Sequence, residues 1–158
     1  MTTALDKILK NIDVTKLLNH YGFDTAHQEG NMLRSKCDIH GGDNPTAFVM
    51  NLDNTLWYCH SDDCGGGDIV TLVEKMEGYT GQSSFPKAIR FLADFFDVDI
   101  SNLEIVEHKD RNKKELEEFI KLMKRRKKKD INEYEVPSNA KPIAKFRDFK
   151  SETLQHFG

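Results

Sequence analysis

All three cysteines of this chain, Cys37, Cys59 and Cys64, fall inside one short window, and His40 stands three positions after the first of them. An odd count in a chain read as cytosolic argues against a disulfide framework. A Cys-x-x-His knuckle followed by a second cysteine pair has metal-ligand spacing instead. Zinc prefers thiolate and imidazole in a tetrahedron. The two residues inside Cys37-Asp38-Ile39-His40 let both side chains turn toward one point. Cys59-His60-Ser61-Asp62-Asp63-Cys64 has four residues between its cysteines, still within common ligand spacing. His60 competes with Cys64 or His40 as fourth donor, but its place beside Cys59 points it away from the knuckle. Four protein ligands close a zinc site, so the metal is expected to be structural, with no position for an activated water.

A closed zinc site of this kind holds together a sheet too small to hold itself, and the flanking residues read as such a sheet. Met32–Lys36, Ala47–Met50 and Thr55–Tyr58 are short, rich in branched and aromatic residues, and separated by Gly41-Gly42-Asp43-Asn44-Pro45 and Asp53-Asn54. Helical spacing appears on both sides. Leu5, Ile8, Leu9 and Ile12 mark a first helix. Asp13 caps a second, striped by Val14, Leu17, Leu18 and Tyr21. After Gly65-Gly66-Gly67, Asp68 caps a helix carrying Ile69, Leu72, Val73 and Met76 and closed by Gly78. Ser84 is expected to cap the next, which buries Phe85, Ala88, Ile89, Leu92 and Phe96. Val98-Asp99-Ile100 reads as a short extended tail. The fold class is therefore α+β: a small antiparallel zinc-ribbon-like sheet flanked by helices, followed by a basic helix.

Charge divides the chain more sharply than hydropathy. Residues 1–108 hold 8 Lys and Arg against 17 Asp and Glu, residues 109–129 hold 11 against 4, and residues 130–158 hold 4 against 5. An acidic body is a poor surface for bulk attraction to phosphate, so nucleic-acid binding by it must rest on a few placed groups. The segment 111–129 suits a helix dipole, acidic early and basic late. Its stripe of Leu116, Phe119, Ile120 and Met123 is thin for a core helix and suits a linker helix on a partner or in solvent. Residues 130–158 contain Pro137, Ser138, Asn139 and Pro142, the composition of a mobile linker. The expected division is 1–108, 109–129 and 130–158. There is no apolar run of membrane-spanning length and no signal-peptide pattern, so a cytosolic protein is expected.

Cys37-Asp38-Ile39-His40-Gly41-Gly42-Asp43-Asn44-Pro45-Thr46-Ala47-Phe48 resembles the first knuckle of the zinc-binding domain of bacterial-type and phage DNA primases. Leu56-Trp57-Tyr58-Cys59 and Cys64-Gly65-Gly66-Gly67-Asp68-Ile69 resemble the second, and Phe85–Ala93 is similar to the helix that follows. The resemblance runs from about Asp13 to Ile100. It implies a single-stranded DNA template as partner and a role in choosing where an RNA primer starts during replication. It also implies a separate catalytic domain, with acidic residues holding Mg2+, that is not among these residues; Phe146–Leu154 is similar to its beginning. The second knuckle is two residues longer than the usual cellular form, which suggests a phage or mobile-element relative.

For contact with the template the candidates are Arg34, Lys36, Trp57 and His60. Arg34 and Lys36 alternate with Leu33 and Ser35 and so share a strand face, and Trp57 could stack a base, a contact worth about 1–3 kcal/mol. The alternative is that Trp57 and Phe48 pack the small core. The run Lys124–Lys129 offers phosphate contacts or a docking surface. Asp97 and Asp99 read as a helix end and a turn cap, since no third carboxylate accompanies them. No Gly-Lys-Ser/Thr follows the glycine run, so it is no nucleotide loop, and no catalytic constellation is present. The competing function is a zinc-stabilised interaction module that docks a helicase or a regulatory partner and has little DNA affinity.

Overall fold

The computed structural model describes residues 2–61, 64–107 and 112–125, together with the backbone of two short strands at 145–146 and 149–150. The chain forms two compact units, Met1–Arg125 and Arg126–Gly158.

The first unit begins with two short helices whose starts are written in their caps. In α1 (Ala4–Asn11) the Thr3 hydroxyl accepts from the Asp6 amide at 3.2 Å while Asp6 Oδ2 accepts from the Thr3 amide at 2.9 Å, a reciprocal capping box. In α2 (Val14–His20) the Asp13 carboxylate accepts from the Lys16 amide. A five-stranded antiparallel sheet follows: β1 (His27–Glu29), β2 (Met32–Ser35), β3 (Phe48–Asn51), β4 (Trp57–Cys59) and β5 (Gly66–Gly67), in that spatial order. Then come α3 (Ile69–Met76), α4 (Ser84–Phe95) and α5 (Lys113–Arg125).

Register assigns the side chains to two faces. Leu33, Met50 and Trp57 align across β2, β3 and β4, as do Ser35, Phe48 and Cys59. All six are buried, and all but Ser35 belong to the main core, which also takes in residues of α1 to α4. Arg34, Val49 and Tyr58 align on the opposite face. There Val49, Leu56 and Tyr58 meet Phe119 and Met123 of α5 in a second, smaller core, with Met32, Leu116 and Ile120 packed beside it.

Two expectations need correction here. The helix at 111–129 is not a bare linker: α5 lies on the sheet, and Phe119 and Met123 are buried. Its stripe is thin because it meets a narrow sheet, and burial of those two side chains still stabilises by about 1.5–3 kcal/mol each. Ser84 is the first helical residue of α4 rather than its cap; its hydroxyl donates to Glu74 Oε1 at 2.7 Å, and Ser83 occupies the cap without a side-chain bond. Val98–Ile100, expected as a short extended tail, carries no regular element. Asp99 instead accepts from the amide and hydroxyl of Ser101, which holds its carboxyl below the usual range, and Asp97 ends α4 with a positive φ of 54°.

Two strands were illegible beforehand. β1 is wholly exposed and polar, and β5 is a pair of glycines. A side chain on Gly66 would approach the Trp57 carbonyl oxygen, and one on Gly67 would run into Thr71, so close approach explains both. In the second unit β6 (Lys145–Phe146) pairs with β7 (Phe149–Lys150). The rest of the expected 130–158 linker, and the basic run from 126 to 129, lie outside the described residues.

Candidate metal centre

Each knuckle hangs from a sheet strand. Cys37 follows β2, and the turn after it closes through a Gly42 amide to Cys37 carbonyl hydrogen bond of 3.1 Å. Cys59 ends β4, and its amide donates to Gly65 O at 2.8 Å, which draws Cys64 back over the sheet end. The Ser61 amide faces Cys59 Sγ at 3.4 Å, an N–H positioned to stabilise a thiolate.

The result is one donor group of Cys37, His40, Cys59 and Cys64, with all four ligand atoms within 4.8 Å of one another. The three sulfurs are buried and the imidazole is exposed. Cys37 Sγ and Cys64 Sγ lie 3.8 Å apart, the sulfur–sulfur edge of a tetrahedron built on Zn–S bonds of about 2.3 Å. His40 Nδ1 lies 3.8 Å from Cys59 Sγ and 2.9 Å from Cys64 Sγ. The shorter contact is a thiol–imidazole hydrogen bond. Widening it to about 3.5 Å, with the proton lost, gives the nitrogen–sulfur edge of the same tetrahedron. The donor set therefore fits zinc. On these four ligands the ion would be coordinatively closed and would supply a cross-link between knuckles rather than a reactive water.

Burial governs the protonation of the donors. Desolvation, reinforced by neighbouring Cys59, pushes the Cys37 thiol up to about 12, and burial raises Cys64 as well. Cys37 and Cys64, crowded together in an apolar site, hold their protons until a cation replaces them. Gly42 is part of the same construction, because a side chain there would collide with the His40 imidazole.

His60 is not drawn into the group. Its amide donates to Ala47 O at 2.7 Å, and its ring meets Tyr58 edge-on at 5.2 Å. Arg34 lies within β2 and is half-buried, while Lys36 follows the end of that strand and is exposed. The Lys36 ammonium is bound to Asp38 Oδ1 at 3.0 Å, while Asp38 Oδ2 is buried without a partner. Trp57 corrects the stacking expectation. It is completely buried, stacked on Phe48 at 5.8 Å, and its Nε1–H donates to Asp68 O at 2.8 Å. Trp57, Tyr58 and Cys59 are all buried, so polarity alternation could not reveal which face each one takes. Tyr58 lies on the opposite face, its ring 5.9 Å from the Lys124 ammonium.

A family model described as the CHC2 zinc finger matches residues 1–108. The chain belongs to the CHC2 zinc finger family. A DNA primase of Thermotoga maritima is 26% identical over 156 residues, covering 98% of this chain and 25% of that protein. A DNA primase of Mycoplasma genitalium is 27% identical over 90 residues, covering 56% of this chain and 14% of that protein. The chain thus spans about a quarter or less of the curated relatives it matches. Among solved structures, the zinc-binding and RNA polymerase domains of the Aquifex aeolicus primase match with a TM-score of 0.49 and 21% identity, over 66% of this chain and 24% of that one. Among the described residues no helix is long and apolar enough to cross a membrane.

Proposed function

We propose that this chain is the template-reading zinc module of a DNA primase. Zinc held by Cys37, His40, Cys59 and Cys64 fixes the end of the sheet, and Arg34, Lys36 and His60 present cations and a ring to single-stranded DNA beside it. The observation that carries the reading is the closed four-donor group of a CHC2 zinc finger, joined through β2 and β4 to a face that carries Arg34. The similarity to DNA primases supports a partner catalytic domain that makes the RNA primer with Mg2+. Trp57 is left out of the DNA contact because it is enclosed.

The testing experiment is fluorescence anisotropy of a labelled oligonucleotide with the zinc-loaded chain across a salt series, with Cys59→Ser as control. Saturable binding to single strands that weakens with salt and is lost in the variant supports the template reading. Absence of binding at low salt sinks it.

A second reading, a docking module for a replicative helicase or a regulatory protein, draws on one feature. Tyr21, Phe91, Phe95 and Phe96 sit half-buried beside exposed His20 on α2 and α4, with ring separations of 4.9–6.2 Å among them and Lys16 over Phe95. Half-exposed rings of this kind are enriched in protein interfaces.

A further inference from the structure

The second sheet face joins two charged groups that the sequence places far apart. The Lys124 ammonium in the last turn of α5 stands 5.9 Å from the centroid of Tyr58. Tyr58 is in register with Val49, and Val49 with Arg34. Arg34 is thus two strands away from Tyr58 on the same face, roughly 10 Å in the hydrogen-bonding direction. His60 touches the Tyr58 ring from its edge. The basic turn of α5 therefore closes one side of a patch whose other side is Arg34.

We propose that Lys124 is a further template-contacting residue, and that Lys124, His60 and Arg34 form one strip that takes the phosphodiester backbone of single-stranded DNA. This rests on the template reading above. α5 is anchored for the purpose by Phe119 and Met123, buried on the side of the helix that meets the sheet, while Lys124 is exposed. The anchored helix thus carries the base of this side chain to the sheet, with the ammonium over Tyr58. The helix also covers Tyr58, which is only 7% exposed, so bases do not stack on the centre of this face while α5 is seated. Recognition there is electrostatic, by charges at the border of the helix. An acidic body with net charge −9 over residues 1–108 gains DNA affinity most economically from such a localised strip, because phosphate contacts release counterions only where cations approach the backbone.

The test is the salt dependence of single-stranded DNA binding by the zinc-loaded full chain, wild type against Lys124→Gln, Lys124→Arg, Arg34→Gln and Lys114→Gln. Loss of one phosphate contact lowers the slope of log affinity against log salt by about 0.7, which is about a fivefold loss of affinity at 0.1 M salt. Lys124→Gln and Arg34→Gln are each expected to show that loss. Lys124→Arg is expected to restore binding, and Lys114→Gln, in the first turn of α5, to leave it unchanged. If Arg34→Gln weakens binding while Lys124→Gln matches wild type in slope and affinity, the strip is overturned and the template reading survives. If Lys114→Gln loses as much as Lys124→Gln, the effect is diffuse helix charge and the strip is again overturned. If the wild type does not bind, both readings fall.

Discussion

Trp57 Nε1 donates to the backbone carbonyl of Asp68 at 2.8 Å, tying the middle of β4 to the residue that caps α3. The indole is therefore a fastener between sheet and helix. Trp57→Phe keeps an aromatic ring against Phe48 but removes one of two donors to the Asp68 carbonyl, the Leu72 amide remaining at 3.0 Å, a loss of about 0.5–1.5 kcal/mol measurable by urea unfolding. Addition of single-stranded DNA is expected to leave Trp57 emission and its quenching by acrylamide unchanged. A large direct quench by DNA would show that the ring is reachable after all.

Zinc should bind one ion per chain and hold the sheet. Cys59→Ser or chelation is expected to dissolve β2 to β4, since structural zinc contributes on the order of 10 kcal/mol in small domains. Amide exchange of Val49 and Tyr58 together with red-shifted Trp57 emission would report it. Retention of a native-like spectrum in chelator would mean that the two cores suffice without the metal.

Acid is expected to release the ion. Burial holds the Cys37 and Cys64 protons more tightly than usual, so a metal must displace protons from the thiols to bind. Apparent zinc affinity then falls as pH falls, by more than one proton per ion. The raised folded-state value also means that chain stripped of zinc loses stability as pH rises above the ordinary thiol range, where unfolded thiols ionise and the buried Cys37 does not until about 12. Zinc affinity measured with a competing chelator between pH 6 and 8 checks the first sign, and alkaline melting with chelator checks the second.

Gly42→Ala places a methyl group against the His40 ring. The ring must turn away from Cys64, and zinc affinity is expected to fall by about tenfold or more, comparable to loss of an outer-shell support. Unchanged affinity would show that the knuckle yields without cost.

Asp38→Asn removes the charge that holds Lys36 at 3.0 Å. The released ammonium is expected to tighten single-stranded DNA binding by about twofold to fivefold at low salt, an effect that fades as salt rises. Weaker binding would assign Asp38 a supporting role in the knuckle instead, consistent with its buried, unpartnered Oδ2.

The metal site was readable because ligation depends on side-chain type and spacing alone, and Cys37, His40, Cys59 and Cys64 carry both. α1 to α4 were readable because each has one apolar stripe and one medium. α5 was misread because its counterpart is discontinuous: Val49, Leu56 and Tyr58 come from different strands and belong to a second face. The stripe of Leu116, Phe119, Ile120 and Met123 could not announce what it would meet. Trp57 was misplaced for a related reason, since three consecutive buried residues in β4 carry no alternation. β5 has no side chains to read at all.

That uninterrupted burial of Trp57-Tyr58-Cys59 has a consequence for folding. A strand whose neighbours are all apolar can slide by one position without exposing a polar group, and a one-residue slip exchanges the two faces. Apart from shape, the misaligned pairing loses the hydrogen bond from Trp57 to Asp68 O, about 1 kcal/mol. The ion discriminates far more sharply, because a slipped β4 would carry the Cys59 sulfur to the α5 side and leave the tetrahedron with three corners. Zinc is thus a proofreader of strand alignment, rewarding one pairing of β3 with β4 over its near neighbours.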